Sequence, residues 1–202
     1  MSTFAVFADG VDVDLLEGLD TGSRRRAATQ ALNKVARDAR ALAIRQMRSQ
    51  IALPKSYFDQ KRFFTSPANQ QTLEAKLTAR GRATMLARFV KGSAKVGKPG
   101  VYVEVKPGKA RYLKRAFLIK LPQGQNAVTD TLFNLGLAIR LRPGETIENK
   151  LVARRIERGL YVLYGPSVSQ VFRANDGDGV ASDIAPDVAE RLQREFLRLL
   201  GI

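Results

Sequence analysis

The chain has 202 residues and contains no cysteine and no histidine. This composition excludes disulfide bonds and the usual zinc ligand sets, and it removes the most common general base and the thiol nucleophile. Hydrophobic residues make up 45% of the chain, a proportion typical of a soluble globular protein. We therefore predict one domain over residues 1–202, with no catalytic residues, no cofactor and no metal site.

The chain shows no sign of a membrane partner. No apolar run reaches the roughly 18–20 residues that a spanning helix needs, and the first residues lack the basic segment and apolar core of a signal peptide. We expect a protein that is made in a cytoplasm, or in a particle assembled there.

The net charge of +15 is distributed unevenly. Residues 1–22 contain five acids and no base, whereas residues 23–62 contain eleven bases and two acids. Residues 76–120 contain thirteen bases and one acid, and residues 174–190 contain five acids and no base. A basic middle between acidic ends favours pairing within the chain or between copies, although solvated surface charge would give the same pattern.

The first elements are a short strand and a long helix. Residues 3–8 are typical of a strand, Asp9-Gly10 of a turn, and Asp12 could cap a short helix that ends at Leu19. A second helix begins at Thr21 or Ser23 and ends near Ile51, before Pro54. Its apolar residues recur every three or four positions: Ala28, Leu32, Val35, Ala39 and Leu42. Its basic residues are predicted on the opposite side, facing outward: Lys34, Arg37, Arg40, Arg45 and Arg48.

The middle of the chain predicts strands separated by glycine and proline turns. The predicted strands are 62–65, 72–80, 101–106, 116–121, 137–141 and 160–164. A further helical turn is predicted at 55–60 and an exposed loop at 91–100. The pattern leaves 128–136 undecided, and 146–158 could be a charged helix or a loop.

The end of the chain predicts a loop at 175–179 and a last helix with Pro186 in its first turn. One side of that helix is apolar: Val188, Leu192, Phe196, Leu199 and Leu200. The order helix, strands, helix indicates an α+β fold, with a mainly antiparallel sheet packed by the long N-terminal helix and with a C-terminal helix.

Three segments superficially resemble chemical sites. The loop from Asn175 lacks the glycine and the closing glutamate of a calcium loop at the required positions. The loop at 92–99 lacks the residue order of a phosphate loop, since Pro99 occupies the hydroxyl position. Ser167 follows Gly-Pro at a predicted helix start, where a hydroxyl ordinarily caps the helix.

Sequence-independent DNA binding is the alternative that the charge favours. The basic residues of the long helix, together with Arg80, Arg82, Arg88, Lys91, Lys95 and Lys98, could neutralise many phosphates. The nearby aromatic residues are as typical of strands or a core as of stacking platforms for bases: Phe63, Phe64, Phe89, Tyr102 and Tyr112.

The stretch LYGPSVSQVF at 163–172 predicts a strand, a Gly-Pro turn and a helix start. It also resembles the signature of the phage minor tail protein Z family. Other stretches resemble the family in the same order: the Ala-rich basic helix at 26–48, Ala79-Arg80-Gly81 with Leu86–Phe89, Val101–Lys106 and Arg115-Ala116-Phe117. The resemblance covers roughly residues 21–175, between an acidic N-terminal arm at 1–20 and an acidic loop with the C-terminal helix at 176–202.

The resemblance implies a structural virion protein of a long-tailed bacteriophage, which completes the tail at its head-proximal end and takes part in head–tail joining. It implies a virion location in the tail or neck and a homo-oligomeric ring, commonly a hexamer. The implied neighbours are the tail terminator, the tail tube and the head–tail connector, with non-specific contact to packaged DNA as a further possibility. The residues expected to make assembly contacts are Lys34, Arg37, Arg40, Arg45, Arg48, Arg80, Arg88, Tyr164, Gly165, Pro166 and Ser167.

Overall fold

The computed structural model describes residues 2–7, 21–121, 135–149, 151–173 and 179–201. Three α-helices lie in this part of the chain: α1 (Thr21–Gln50), α2 (Val168–Phe172) and α3 (Val180–Leu200). Short 3-10 helices lie at Lys55–Tyr57 and Leu86–Phe89. The strands are β1 (Ser2–Phe7), β2 (Phe63–Ser66), β3 (Glu74–Ala79), β4 (Thr84–Met85), β5 (Val90–Lys91), β6 (Val101–Lys106), β7 (Lys109–Leu113), β8 (Ala116–Lys120), β9 (Leu135–Arg140), β10 (Ala153–Glu157) and β11 (Leu160–Gly165).

The sequence periodicity of α1 translates directly into burial. Ala28, Leu32, Val35 and Ala39 are buried, as predicted, while Leu42 is half-buried. The apolar face is wider than the predicted stripe, because Ala31, Ala36, Ala43 and Met47 are buried as well. Small alanine side chains allow close approach of neighbouring backbone, so most of this face contributes to the core.

The described residues group into two compact units. Unit 1 contains residues 1–48, 54–82 and 168–202, and unit 2 contains residues 49–53 and 83–167. The prediction of one domain over the whole chain stays a prediction.

Unit 1 contains most of α1, the antiparallel sheet β1-β3-β2, α2 and α3. In its core the rings of Phe63 and Phe172 meet edge to face, with 4.9 Å between their centroids. Helix α3 buries Val188, Leu192 and Phe196 as predicted. Its start was predicted too late: the helix begins at Val180, so Pro186 lies inside it rather than in its first turn.

Unit 2 contains two antiparallel sheets. One has the order β10-β11-β9-β8, with β4 also paired to β11, and the other has the order β5-β6-β7. The outer edge of β8 is covered by the loop between β5 and β6, because the N–H groups of Gly97 and Gly100 donate to the carbonyls of Leu118 and Ala116. Strand β10 pairs with β11 on one side and forms the other edge of its sheet.

The predicted α+β class, with a long N-terminal helix, antiparallel sheets and a C-terminal helix, is confirmed. Three local predictions were wrong or incomplete. Residues 153–157, expected as helix or loop, form β10, and β7 was not predicted at all. The predicted strand from Thr72 begins only at Glu74, because Leu73 has a positive φ of 35° at the end of a turn.

Several predictions fall on residues outside the described ranges: the turn at Asp9-Gly10, the helix from Asp12 to Leu19, most of the undecided segment 128–136 and most of the loop at 175–179. Among the helices that the structure does describe, none has the length and the apolar character needed to cross a membrane.

Candidate functional site

The first predicted contact residue of α1, Lys34, is part of an ion network within unit 1. Its Nζ lies 2.6 Å from Oε2 of Glu195 on α3, and the guanidinium of Arg198 lies 2.6 Å from Oε1 of the same carboxylate. The hydrogen bonds from Arg198 and then Lys34 lower the pKa of Glu195 to about 2. Although Lys34 is exposed, its ammonium group is therefore part of an ion pair that links α1 and α3.

Arg40 makes more contacts within unit 1 than Lys34 does. Its Nη2 donates to the carbonyls of Phe58 and Phe63 at 2.7 and 3.0 Å, and its Nε donates to Phe63 at 3.1 Å. The guanidinium also lies over the Phe63 ring, 5.7 Å from the centroid, and burial lowers the pKa of Arg40 from its ordinary value. Because successive helix residues rotate by about 100°, Arg40 points about 120° away from Lys34. It holds the chain before and at the start of β2.

The remaining predicted residues of α1 form an exposed group: Arg37, Arg45 and Arg48. No ion pair to any of them occurs among the residues that the structure describes. We call these three residues the α1 cations. They are the part of the predicted basic face that has charge available for a partner.

The two predicted arginines outside α1 differ in exposure. Arg80 is exposed and lies over the ring of Phe64, with its Cζ 5.6 Å from the centroid. Arg88 is half-buried within the 3-10 helix at Leu86–Phe89. Since Phe63 and Phe89 are buried, they are core residues, and only Phe64 among these three phenylalanines has a partly exposed ring.

The signature stretch has the predicted local structure. Strand β11 ends at Gly165, Pro166 follows, and α2 begins at Val168. Tyr164 and Gly165 pair with Met85 and Thr84 of β4, and Ser167 is buried. The expected role of Ser167 as a helix cap stays a prediction.

Gly165 is required by packing against Phe89. A Cβ atom at this position would lie 2.7 Å from Cε2 and 3.2 Å from Cδ2 of the phenyl ring, closer than any normal van der Waals contact. The Phe89 ring is buried, so a shift of the ring would disturb the packing around it. The glycine of the signature is thus explained by the interior of unit 2, independently of any partner.

An exposed apolar edge lies next to the signature tyrosine. Leu151, Val152 and Ile156, at and before β10, are exposed by 74%, 45% and 44%. Beside them is an open cleft of about 540 Å³, with Leu151, Arg154, Arg155, Tyr161 and Tyr164 among its walls. A sheet edge with apolar side chains invites pairing with another chain.

The β6–β7 hairpin carries an aromatic pair whose role the sequence left open. Tyr102 and Tyr112 lie directly opposite each other on the two strands, with ring centroids 4.9 Å apart and ring planes tilted by 44°. They are 56% and 54% exposed, so neither ring belongs to the core. Lys91 pairs with Tyr102 across β5 and β6, which places its side chain on the same face of the sheet.

Exposed lysines lie in the segments of the chain next to this tyrosine pair. Lys95 and Lys98 are exposed in the loop that precedes β6, Lys106 and Lys109 flank the hairpin turn, and Lys114 follows β7. The sequence signal for the site was present in the alternation of Tyr102 with Val101 and Val103. That alternation indicates which residues share a face but cannot indicate whether the tyrosine face is covered.

Two acids in unit 2, Glu104 and Glu145, have basic partners. The N–H of Gly108 and then the ammonium of Lys91, at 3.2 Å, lower the pKa of Glu104. A hydrogen bond from Arg115 and then the N–H of Arg142 lower the pKa of Glu145 to about 2. Lys91 and Arg115 are therefore neutralised locally, in contrast to the five lysines around the hairpin.

No group of three or more acidic side chains that could hold a metal ion occurs within the described ranges. Comparison of the chain with known proteins gives no match to a family model, a curated protein or a solved structure.

Proposed function

We propose that this chain is a structural virion protein of a long-tailed bacteriophage that completes the head-proximal end of the tail and takes part in head–tail joining. The LYGPSVSQVF stretch at 163–172 carries the proposal, supported by the order of the other family-like stretches. The proposed role is binding rather than catalysis, because the chain has neither histidine nor cysteine and its strongest features are charged and apolar contact surfaces.

The proposed contact to neighbouring tail proteins uses the α1 cations. Arg37, Arg45 and Arg48 share an exposed region of one helix, and rigid helices position contact groups better than loops do. Lys34 and Arg40 are not part of this surface. Inside unit 1, Lys34 forms an ion pair with Glu195, and Arg40 donates hydrogen bonds to backbone carbonyls.

The proposed ring contact uses the edge of β10. A closed ring needs a heterologous interface, in which one patch of a copy meets a different patch of the next copy. The β10 edge combines apolar side chains with Arg154, Arg155 and Arg158, whereas residues 1–22 of the chain contain five acids and no base. Opposite charge and apolar area together favour a second copy of this chain as the occupant.

Deletion of the gene from its phage tests the role in the virion. We expect filled heads and tails that fail to form infectious particles, as seen by electron microscopy and plaque counts, with recovery when the wild-type chain is supplied. Supplying Arg37→Glu/Arg45→Glu/Arg48→Glu should not restore plaques. The charge-matched control is Lys55→Glu/Lys61→Glu/Arg82→Glu, which changes three exposed cations outside α1 and should restore them. A deletion that leaves the plaque yield unchanged would rule out the proposed function.

Oligomer mass tests the ring contact separately. In assembled tails, or at high protein concentration, Leu151→Lys/Ile156→Lys should prevent ring formation, because it replaces apolar side chains of the contact with charged groups that are costly to bury. The variant Leu151→Val/Ile156→Val keeps the edge apolar and should assemble. Rings that form equally well with the lysine variant would exclude the β10 edge as the contact.

A further inference from the structure

We propose that the β6–β7 hairpin is a binding site for single-stranded DNA, with bases stacking on Tyr102 and Tyr112 and phosphates contacting the surrounding lysines. This inference concerns a surface that the proposed tail contacts do not use, and it stands or falls independently of them.

The aromatic pair is the first observation that carries it. Each ring is more than half exposed, and the two lie side by side on adjacent strands. An isolated exposed aromatic residue is ordinary, but two neighbouring exposed tyrosines on paired strands form a continuous aromatic surface. Stacking of bases on such rings is the common way in which proteins hold unpaired nucleotides.

Buried neighbours and the preceding loop fix the positions of the two tyrosines. Val101 and Val103, which flank Tyr102 in β6, are buried, and they anchor the strand. The backbone of Gly100 lies directly against the phenol end of Tyr112, so a side chain at position 100 would displace that ring. Tyr112 is therefore positioned by both its strand partner and the preceding loop.

Charge is the second observation. Residues 91–115 contain eight lysines and arginines and one acid, Glu104, which pairs with Lys91. Five exposed lysines have no ion pair among the residues that the structure describes: Lys95, Lys98, Lys106, Lys109 and Lys114. They lie in the loop before β6, at the hairpin turn and after β7, so they adjoin in the chain both strands that carry the tyrosine pair.

Exposed aromatic rings together with lysines that are unpaired within the described residues favour single-stranded DNA as the ligand. An acidic protein surface would use the lysines but would gain little from two exposed rings, and duplex DNA would offer phosphates but keep its bases stacked on one another. Single-stranded DNA presents both phosphates and unpaired bases, which matches the two kinds of group on this face. Among the side chains that the structure describes in unit 1, the α1 cations have no comparable pair of exposed rings.

Binding of a fluorescein-labelled oligothymidylate of about 20 nucleotides to the full-length protein tests the proposal. We expect tighter binding to this strand than to a duplex of the same length or to polyglutamate, measured by fluorescence anisotropy. Equal affinity for the duplex would contradict a stacking site, and equal competition by polyglutamate would assign the surface to acidic proteins instead.

The tyrosine variants separate stacking from charge. Tyr102→Ser/Tyr112→Ser should weaken binding of the oligothymidylate by at least roughly tenfold, since each stacked base is lost. The control Tyr102→Phe/Tyr112→Phe keeps both rings and should bind nearly as the wild type does. Serine variants that bind like the wild type would overturn the proposal.

Intrinsic fluorescence gives a second readout that needs no variant. The chain has five tyrosines and no tryptophan, so tyrosine emission is observed directly. Stacking of bases on the exposed pair should quench part of that emission at saturating oligothymidylate. Saturable binding without quenching would also overturn the proposal.

Discussion

The basic residues of α1 and those of the β6–β7 hairpin look alike in the sequence but differ in the structure. In α1, Lys34 shares Glu195 with Arg198, and Arg40 is bonded to two backbone carbonyls. Around the hairpin, Lys91 pairs with Glu104 and Arg115 with Glu145, whereas five exposed lysines have no ion pair among the residues that the structure describes. Counting the basic residues of α1 therefore overestimates the positive charge that the helix can offer to another molecule, because Lys34 and Arg40 already have partners inside unit 1.

The two regions also differ in what holds them together. Helix α1 is fixed by a broad buried face, whereas none of the five residues of β7 is buried. Strand β7 is held by its backbone pairing to β6. Side chains of β7 can consequently be substituted without loss of core packing, whereas β6 buries Val101 and Val103.

The largest expected effect on stability comes from removing Arg40, whose guanidinium is bonded inside unit 1. Arg40→Ala should lower the free energy of unfolding by roughly 2–3 kcal/mol, because the carbonyls of Phe58 and Phe63 lose their hydrogen bonds. The matched control is Arg37→Ala, one turn earlier and exposed, which should change stability by less than about 0.5 kcal/mol. Urea denaturation measures both, and equal effects would refute the distinction between the two arginines.

The next effect concerns the signature glycine. Gly165→Ala should cost about 1–3 kcal/mol, because its Cβ would overlap the buried Phe89 ring. The comparison variant is Gly92→Ala in the exposed loop, where space is open but φ is +74°, so only backbone strain is expected. If Gly165→Ala costs as much in the Phe89→Leu background as it does in the wild type, the ring is not the cause.

A smaller, pH-dependent effect is expected for the carboxylate that holds Lys34. The pKa of Glu195 lies at about 2, below its ordinary value of 4.5, so the ionised form stabilises the folded chain. Its contribution is complete above the ordinary value and is lost as the pH falls toward 2. The difference in Tm between the wild type and Glu195→Gln should therefore shrink between about pH 5 and about pH 2.

The control for this series is Glu190→Gln, which removes an exposed pair with Arg194 on the same helix and should change Tm little at any pH. A wild-type advantage over Glu195→Gln that stays constant down to pH 2 would contradict the role given to this carboxylate.

The smallest effect on stability is expected at the hairpin. Lys95→Gln/Lys98→Gln/Lys106→Gln/Lys109→Gln should leave the free energy of unfolding within about 0.5 kcal/mol per substitution, because these side chains are exposed and unpaired within the described residues. Urea denaturation checks this. A loss of several kcal/mol would mean that these lysines serve the fold.

Much of the fold could be predicted from the sequence, wherever burial leaves a periodic pattern. The three- and four-residue spacing of Leu32, Val35 and Ala39 predicted α1, and the alternation around Val103 predicted β6. The order of these elements was sufficient for the α+β class.

Strands without such a pattern were missed. In β10, Arg154, Arg155 and Glu157 are all exposed, so the segment has no apolar alternation, and its pairing with β11 alone makes it a strand. Strand β7 lacks buried residues for the same reason. Both strands pair with the neighbouring strand of a hairpin, and such backbone pairing leaves no periodic apolar pattern in the sequence.

The candidate surfaces were predictable only in part. The sequence indicated which residues are basic but not that Lys34 would meet Glu195, 161 positions away. Likewise it placed Tyr102 and Tyr112 near strands, but their register opposite each other depends on the bulge between Glu104 and Lys106 and on the hairpin turn. Exposure and pairing are tertiary properties. They distinguish basic residues that have partners inside the fold, such as Lys34, from basic residues that can contact another molecule.

The most direct test of that separation is the salt dependence of oligothymidylate binding, measured side by side for the four-lysine hairpin variant and for Arg37→Gln/Arg45→Gln/Arg48→Gln. We predict that the slope of log K against log salt concentration falls by about 0.7 for each hairpin lysine that contacts a phosphate and is nearly unchanged for the α1 variant. A slope that falls for the α1 variant and not for the hairpin variant would contradict the account.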